Sequence, residues 1–245
     1  MLPRFTKTIL HSLVEITPVR RQTRFFCTGV RIHENWILTA AHGVDQVDYL
    51  EIKTHATDSA SGHAEAPVRV ETNRVYIHDR YYEDYSFHDL ALVYLPDPKQ
   101  PVFGLLDGEI PHDKNAPSEL NSQAFRIGIS LENHQSQFIQ CPIEWINLNM
   151  TYDPIAKSAF QKELLDMIIF KNESTSVGHS GGPLFTIAET SHGLQATLLA
   201  IHSGTKGGPN GSDYGYACAI YSHLSWIHRF TQARQQQRSE RALTA

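Results

Sequence analysis

Ser180 stands in Gly178-His179-Ser180-Gly181-Gly182-Pro183, a serine set among glycines. Glycine permits a tight turn, leaves one hydroxyl open to approach and lets backbone N–H groups face a reacting oxygen. The string fits a nucleophilic serine, but it also fits an ordinary turn. His42 closes Thr39-Ala40-Ala41-His42, after the apolar run Trp36-Ile37-Leu38. A histidine at the end of a buried strand is held firmly enough to act as a base, yet alone it is equally a satisfied loop or core residue. Asp89 opens Asp89-Leu90-Ala91-Leu92-Val93, as a turn residue or as a carboxylate that orients an imidazole. Taken together the three say more than each alone. A hydroxyl is a weak nucleophile; it needs a base within reach, and the base needs an orienting partner. The chemistry implied is acyl transfer through an activated serine.

The order His, Asp, Ser, with wide separations, is the chymotrypsin order, unlike that of α/β-hydrolases or subtilisin. Phe26-Cys27, followed by Glu34-Asn35-Trp36-Ile37-Leu38-Thr39-Ala40-Ala41-His42, resembles the catalytic-histidine region of trypsin-like serine proteases. Gly178 to Pro183 resembles their catalytic-serine segment, and Tyr221 to Ile227 resembles the start of their C-terminal helix. The resemblance runs from about Phe25 to Phe230. It implies an all-β fold of two perpendicular six-stranded antiparallel β-barrels of the chymotrypsin type, with a C-terminal α-helix and the active site between the barrels. It also implies a serine endopeptidase. Asp89 fixes His42, and His42 takes the proton of Ser180 and passes it to the leaving amine. Backbone N–H groups of Gly178 and Ser180 form the oxyanion hole. Water then hydrolyses an acyl-enzyme on Ser180. The implied partner is a protein or peptide substrate; no cofactor and no metal are called for.

Two departures from the animal enzymes matter. His179 stands where many of them carry an aspartate that pairs with a newly cut N-terminus, and no Ile-Val-Gly-Gly start is visible. An oxyanion hole formed without cleavage, as in bacterial relatives, is the expectation. Gly43 follows His42 where those enzymes carry a cysteine, so Cys27 lacks its usual partner. The missing disulfides fit a bacterial or intracellular member.

The specificity pocket is read the same way. Ser174, six residues before Ser180, falls at the pocket base and is uncharged, which disfavours a buried Lys or Arg of substrate. Thr175, together with His202 and Gly204 in Ala200-Ile201-His202-Ser203-Gly204, resembles the pocket of glutamyl endopeptidases. A hydroxyl and an imidazole N–H can both donate to a carboxylate or amide oxygen. Cleavage after Glu, or else Gln, is expected, with Gly204 offering backbone contacts to extended substrate.

Two other readings remain at this stage. One is a catalytically inactive binding module on the same fold. The other is an α/β-hydrolase esterase, which would need Asp213 and His223 after Ser180; Gly181-Gly182-Pro183 is a poor start for the helix that it requires.

The elements that must carry these residues are short. Strand-like runs at 25–32, 36–40, 49–53, 68–77 and 90–95 precede a proline-rich connector at 96–117. Further runs lie at 124–129, 138–146, 166–171, 183–187, 197–203 and 214–220. Helices are expected at 154–165 and from Ser222, a candidate N-cap, with Leu224, Ile227 and Phe230 at helical spacing. Residues 1–117 would form the first barrel with its connector, and 118–245 the second barrel with the helix. The tail beyond Gln232 is rich in Gln and Arg and should fray.

The 245 residues are 41% hydrophobic and 19% charged, which suits a packed core. A net charge of -5 gives no reason to expect nucleic acid. No run of about 18 apolar residues predicts a membrane span, and the N-terminus lacks a signal-peptide pattern. A cytoplasmic protein, or one exported without a visible leader, is the expectation; oligomeric state is open. Cys27, Cys141 and Cys218 read as small buried hydrophobes. The fourteen histidines show no metal-ligand spacing along the chain.

Overall fold

A computed structural model describes residues 9–54, 66–82, 88–96, 103–105, 124–130, 136–140, 167–171, 178–191, 193–207 and 213–232. The first sheet is built from β1 (Leu13–Arg20), β2 (Thr23–Arg24), β3 (Cys27–His33), β4 (Trp36–Thr39), β5 (Tyr49–Thr54), β6 (Val68–Glu71), β7 (Val75–Ile77) and β8 (Ala91–Tyr94). Its order is β6-β5-β1-β3-β4-β8-β7, antiparallel throughout, with β2 beside β1. The two edge strands, β6 and β7, are joined only by the 3₁₀ turn Thr72–Arg74. The sheet therefore curls until its edges nearly meet, as a closing barrel must.

The second sheet holds β10 (Ala124–Ile129), β11 (Ser136–Gln140), β12 (Met167–Lys171), β13 (Pro183–Thr190), β14 (Gly193–Gly207) and β15 (Asp213–Ala219). They run antiparallel in the order β11-β10-β13-β14-β15-β12, and β9 (Phe103–Leu105) adds to β14 in parallel. A 3₁₀ turn, Tyr221–His223, leads into a helix over 224–232. This is the chymotrypsin-like architecture that the sequence implies.

Alternation along the strands distributes side chains between cores. Ile37, with Val14, Ile16, Leu50, Ile52, Val70 and Val93, fills the interior of the first barrel. Trp36 and Leu38 point the other way, into a cluster shared with Phe185, Leu198 and Ile201 of the second sheet and with Trp226 and Ile227 of the helix. Ile168, Phe170, Leu184, Leu199 and Ala217 make a third cluster on the far face of the second sheet. Strands β4 and β8 are thus buried on both faces, which is why Trp-Ile-Leu and Leu-Ala-Leu-Val read as unbroken apolar runs. Burying each such side chain contributes about 1.5–3 kcal/mol. Trp36 also meets the helix residue Phe230, ring centroids 6.2 Å apart.

Several boundaries differ from the expectation. Strand β1 lies in the N-terminal segment, where the sequence predicts no strand. Its Pro18 sits between the residues paired with β3 and those paired with β2, where a missing N–H costs no ladder bond on that side. The run 68–77 is broken by the turn at Thr72–Arg74, and the connector contributes β9. Ser222 is no cap: it lies inside the 3₁₀ turn and its Oγ donates back to Ala219 O at 3.3 Å. The helix expected at 154–165, the boundary at 117/118, Cys141 and the tail beyond Gln232 lie outside the described residues.

Candidate active site

Strand β4 ends at Thr39, and the helical turn Ala41–Val44 begins at once. That turn carries His42 out of the barrel wall, leaving its side chain 34% exposed. Asp89 is fully buried at the entry to β8. The preceding residue, His88, adopts a left-handed backbone conformation with φ 52°. Asp89 meets His42 twice: Oδ1 accepts the His42 backbone N–H at 2.8 Å, and Oδ2 lies 2.7 Å from Nδ1. A carboxylate only accepts, so the ring proton sits on Nδ1 and the lone pair on Nε2 faces away. Burial disfavours the imidazolium, but the hydrogen bond and charge of Asp89 outweigh it and hold the His42 pKa above its ordinary value.

Asp89 has a third donor, the Ser203 hydroxyl. Ser203 sits where the β14–β15 register shifts between His202 and Gly204. The extra residue of such a bulge is re-aimed, here toward Asp89. The sequence reading passed over Ser203 as one residue of a pocket wall, since nothing in a sequence marks a bulge.

The Ser180 loop is stitched to the same barrel wall. Thr28 of β3 donates its N–H to Ser180 O at 2.8 Å. Its hydroxyl donates to Gly178 O at 2.7 Å and accepts the Ile129 N–H at 2.9 Å. Thr39 donates to Thr28 O at 2.7 Å. Two glycines are obligatory. Gly178 has φ 106°, and a Cβ on it would stand 2.5 Å from Ile129 O. Gly181 has φ 82°, and its Cβ would stand 2.0 Å from Thr28 O and 3.1 Å from the Ala40 N. That close approach places Ser180 beside the strand end from which His42 emerges.

Strand β14 brings in His202, buried and hydrogen-bonded through its backbone to the serine loop: Gly181 N–H to His202 O and His202 N–H to Gly182 O, both 2.8 Å. Below it lies Arg126, also buried. Its NH1 is 3.2 Å from His179 Nδ1 and 3.3 Å from His202 Nδ1. One guanidinium NH₂ has two hydrogens and can serve both rings, which leaves each with its proton on Nε2. Burial, then the Arg126 charge, push the His179 pKa down to about 4. Burial, Arg126, His179 and His42 push that of His202 well down. The sequence reading missed Arg126, although a lone cation within Ala-Phe-Arg-Ile-Gly-Ile was a visible signal. Gly204 lies under Tyr216, whose Oη is 2.5 Å from where a Cβ would stand. Ser174 and Thr175 lie outside the described residues.

Cys27 and Cys218 are buried and in no disulfide, and Cys218 Sγ lies 3.8 Å from His223 Nε2. Burial and the Asp89 charge raise the Cys27 pKa to about 12. A Cβ on Gly43 would stand 2.6 Å from Cys27 Sγ, so the sulfur fills the space beside the residue after His42. Among the described residues no helix is long and apolar enough to cross a membrane.

The family model described as Trypsin matches residues 14–227. Vitamin K-dependent protein C of Mus musculus is 24% identical over 221 residues, which cover 83% of this chain and 46% of that protein. The chain thus spans less than half the length of that relative. Among solved structures, HL collagenase superposes with a TM-score of 0.68 at 20% identity, covering 91% of this chain and 94% of that one. The inactivated protease paralogue S-I1 of the scabies mite superposes with a TM-score of 0.66 at 17% identity, covering 93% and 97%. At these identities the two structures speak for the fold alone.

Proposed function

From the premise that the chain belongs to the Trypsin family, we propose that it is a serine endopeptidase with Ser180 as nucleophile, His42 as general base and acid, and Asp89 as the group that orients and charges His42. Family membership brings peptide or protein substrates with it. The observation that supports the proposal is the double hold of Asp89 on His42, which leaves Nε2 unprotonated, together with the close approach of Gly181 to Thr28, Thr39 and Ala40, just before His42. In the reaction Ser180 Oγ attacks the scissile carbonyl while Nε2 takes its proton. The N–H groups of Gly178 and Ser180 receive the oxyanion, His42 returns the proton to the leaving amine, and water repeats the cycle on the acyl-enzyme.

The substrate side chain before the scissile bond is proposed to be Glu, or else Gln. His202 is held neutral with its proton on Nε2, so it can donate to a carboxylate or amide oxygen. Thr175 would supply a second donor, and Ser174 an uncharged pocket base. The buried Arg126 behind His202 adds a positive field that favours an anionic side chain over its amide.

Proteomic profiling of cleavage sites tests both levels, with Ser180→Ala as control. Cuts after Glu or Gln that vanish in the control support the triad and the pocket. Cuts after other residues that vanish would keep the triad and reject the pocket. A well-folded chain that neither cuts nor takes a fluorophosphonate label on Ser180 would overturn the enzyme and leave an inactive binding module.

A further inference from the structure

Three histidines far apart in sequence meet beside Asp89 and outside the machinery described above. His78 follows β7, His88 immediately precedes Asp89, and His223 ends the 3₁₀ turn that opens the C-terminal helix. One ring nitrogen from each lies within 4.8 Å of the other two. His88 Nδ1 and His223 Nε2 are 2.9 Å apart. The His78 ring stacks on His88 with centroids 5.1 Å apart and meets His223 edge-on at 4.9 Å. His88 and His223 are buried, and His78 is half-buried at the outer side.

We propose that His78, His88 and His223 form a binding site for a borderline-soft divalent transition-metal ion, with Zn²⁺ as its type. Three arguments carry it. The first is donor chemistry. Three imidazoles suit zinc, copper, nickel or cobalt, whereas calcium and magnesium demand oxygen donors. Of the neighbouring carboxylates, Asp89 already accepts from His42 and Ser203, and Asp79 already pairs with Arg229. The second is spacing. Nitrogens on one tetrahedral zinc with bonds of ~2.0–2.1 Å stand about 3.3 Å apart. The His88–His223 pair is close to that separation, and rotation of the half-buried His78 ring brings in the third. His78 gives up one long contact in doing so, the Arg80 N–H on its Nδ1 at 3.2 Å. The third argument is orientation. His223 Nδ1 donates to Ala219 O at 2.7 Å, which fixes the tautomer and leaves the Nε2 lone pair facing His88, whose Nδ1–H donates to it and gives up that proton to its own Nε2 when an ion takes its place. A metal-bound histidine makes this bond with its other nitrogen in nearly every site.

Three protein ligands leave a fourth position for water or an outside ligand. The bound ion would tie the end of β7, the segment carrying Asp89 and the start of the C-terminal helix to one point. Binding only to the folded chain, it would raise stability by mass action. None of this depends on whether Ser180 reacts.

The test uses the full chain, freed of metal with a chelator and titrated with Zn²⁺ against a chromogenic competitor, with Co²⁺ as the spectroscopic probe. The expected result is one equivalent bound, a tetrahedral Co²⁺ visible spectrum, and a Tm raised by roughly 5–10 °C at 100-fold excess over Kd. His78→Ala, at the half-buried position, should weaken binding at least about tenfold, and His223→Gln should do the same. His42→Ala should bind as the parent does, because His42 is an exposed imidazole outside the cluster that could capture zinc. Absence of stoichiometric binding would overturn the proposal. So would His78→Ala binding Zn²⁺ as tightly as the parent with an unchanged Co²⁺ spectrum, a readout that stands even if His223→Gln fails to fold.

Discussion

Asp89 grips His42 through both carboxylate oxygens, one on the backbone N–H at 2.8 Å and one at Nδ1 at 2.7 Å. The first bond fixes where the residue sits, and the second fixes which ring nitrogen carries the proton. Asp89→Asn separates the two roles. Its Oδ1 can still accept the backbone N–H, but its NH₂ then faces Nδ1 and forces the ring proton onto Nε2, where it blocks the base. The expected result is a folded chain whose kcat falls by about four orders of magnitude, the loss seen when this substitution is made in a serine-protease triad. Steady-state peptide hydrolysis alongside circular dichroism measures it. A loss below about tenfold would remove Asp89 from the mechanism.

In the proposed mechanism the same pair sets the pH dependence of activity. The lone pair on His42 must be free, so kcat/KM rises as His42 deprotonates. Burial pulls its pKa down, while the Asp89 hydrogen bond and charge pull it up and prevail, so the folded value lies above 6.5. The ascending limb should be centred above pH 6.5, with a plateau on its alkaline side. A pH–rate profile centred below 6.5 would contradict the arrangement.

Stability should follow a different course. His179 is pushed down to about 4, first by burial and then by Arg126, and His202 is lowered in the same way. Between pH 4 and 6.5 the unfolded chain binds protons that the folded chain refuses. These two groups therefore give their full stabilisation above about pH 6.5 and lose it as pH falls toward their folded values. His42, with its raised value, contributes in the opposite sense: fully below 6.5, and lost as pH rises through its folded pKa. Joined by His78, which burial and then His223 and His88 push down to about 3, three lowered histidines against one raised predict a Tm that drops from pH 7 to pH 4.5. His179→Gln keeps an acceptor for Arg126 and removes the titration, so it should flatten that slope. A slope unchanged in His179→Gln would assign acid sensitivity elsewhere.

The residues that hold position by covalent sequence alone were the legible ones. Trp-Ile-Leu-Thr before His42 and Leu-Ala-Leu-Val after Asp89 announce buried strands, because both faces of β4 and β8 are covered and no polar alternation dilutes the signal. The sequence predicts strand β10 to its ends as well, although it carries Arg126. Strand β1 is not predicted, because Glu15, Thr17 and Pro18 break its pattern and its pairing with β5 is a tertiary fact. The Ser203–Asp89 bond depends on a bulge, and the Arg126–His179–His202 contact joins residues from three segments. The cluster of His78, His88 and His223 was illegible for a related reason: its members approach only when the first barrel and the C-terminal helix pack together. Local spacing carries chemistry on one element and is silent about convergence.

Arg126 offers a test of the pocket without touching the triad. It is buried, and its guanidinium serves the Nδ1 atoms of two imidazoles. Arg126→Gln leaves a donor and removes the charge. If that charge favours an anionic substrate, the ratio of kcat/KM for matched Glu and Gln peptides should fall by about tenfold, the equivalent of ~1.4 kcal/mol. Ser180 labelling by a fluorophosphonate should persist, since the substitution leaves the proposed triad of Ser180, His42 and Asp89 untouched. An unchanged Glu-to-Gln ratio in a folded variant would leave the pocket neutral and remove Arg126 from substrate choice.

Gly181 tests how the serine is placed. Its φ of 82° is open to glycine at little cost, and an alanine Cβ would stand 2.0 Å from Thr28 O and 2.2 Å from Thr39 Oγ1. Neither neighbour can yield easily, because Thr28 O already accepts from Thr39 and the Thr28 N–H holds Ser180 O. Gly181→Ala therefore combines backbone strain with overlap against a strand and should cost at least about 2 kcal/mol in stability. The strain can relax only by lifting the loop off β3 and β4, which carries Ser180 away from His42. Denaturant unfolding and active-site labelling read the two consequences separately. A variant that keeps full stability and full labelling would mean that the loop is not pinned at Thr28 and Thr39, and with it would go the argument that this contact sets Ser180 against His42.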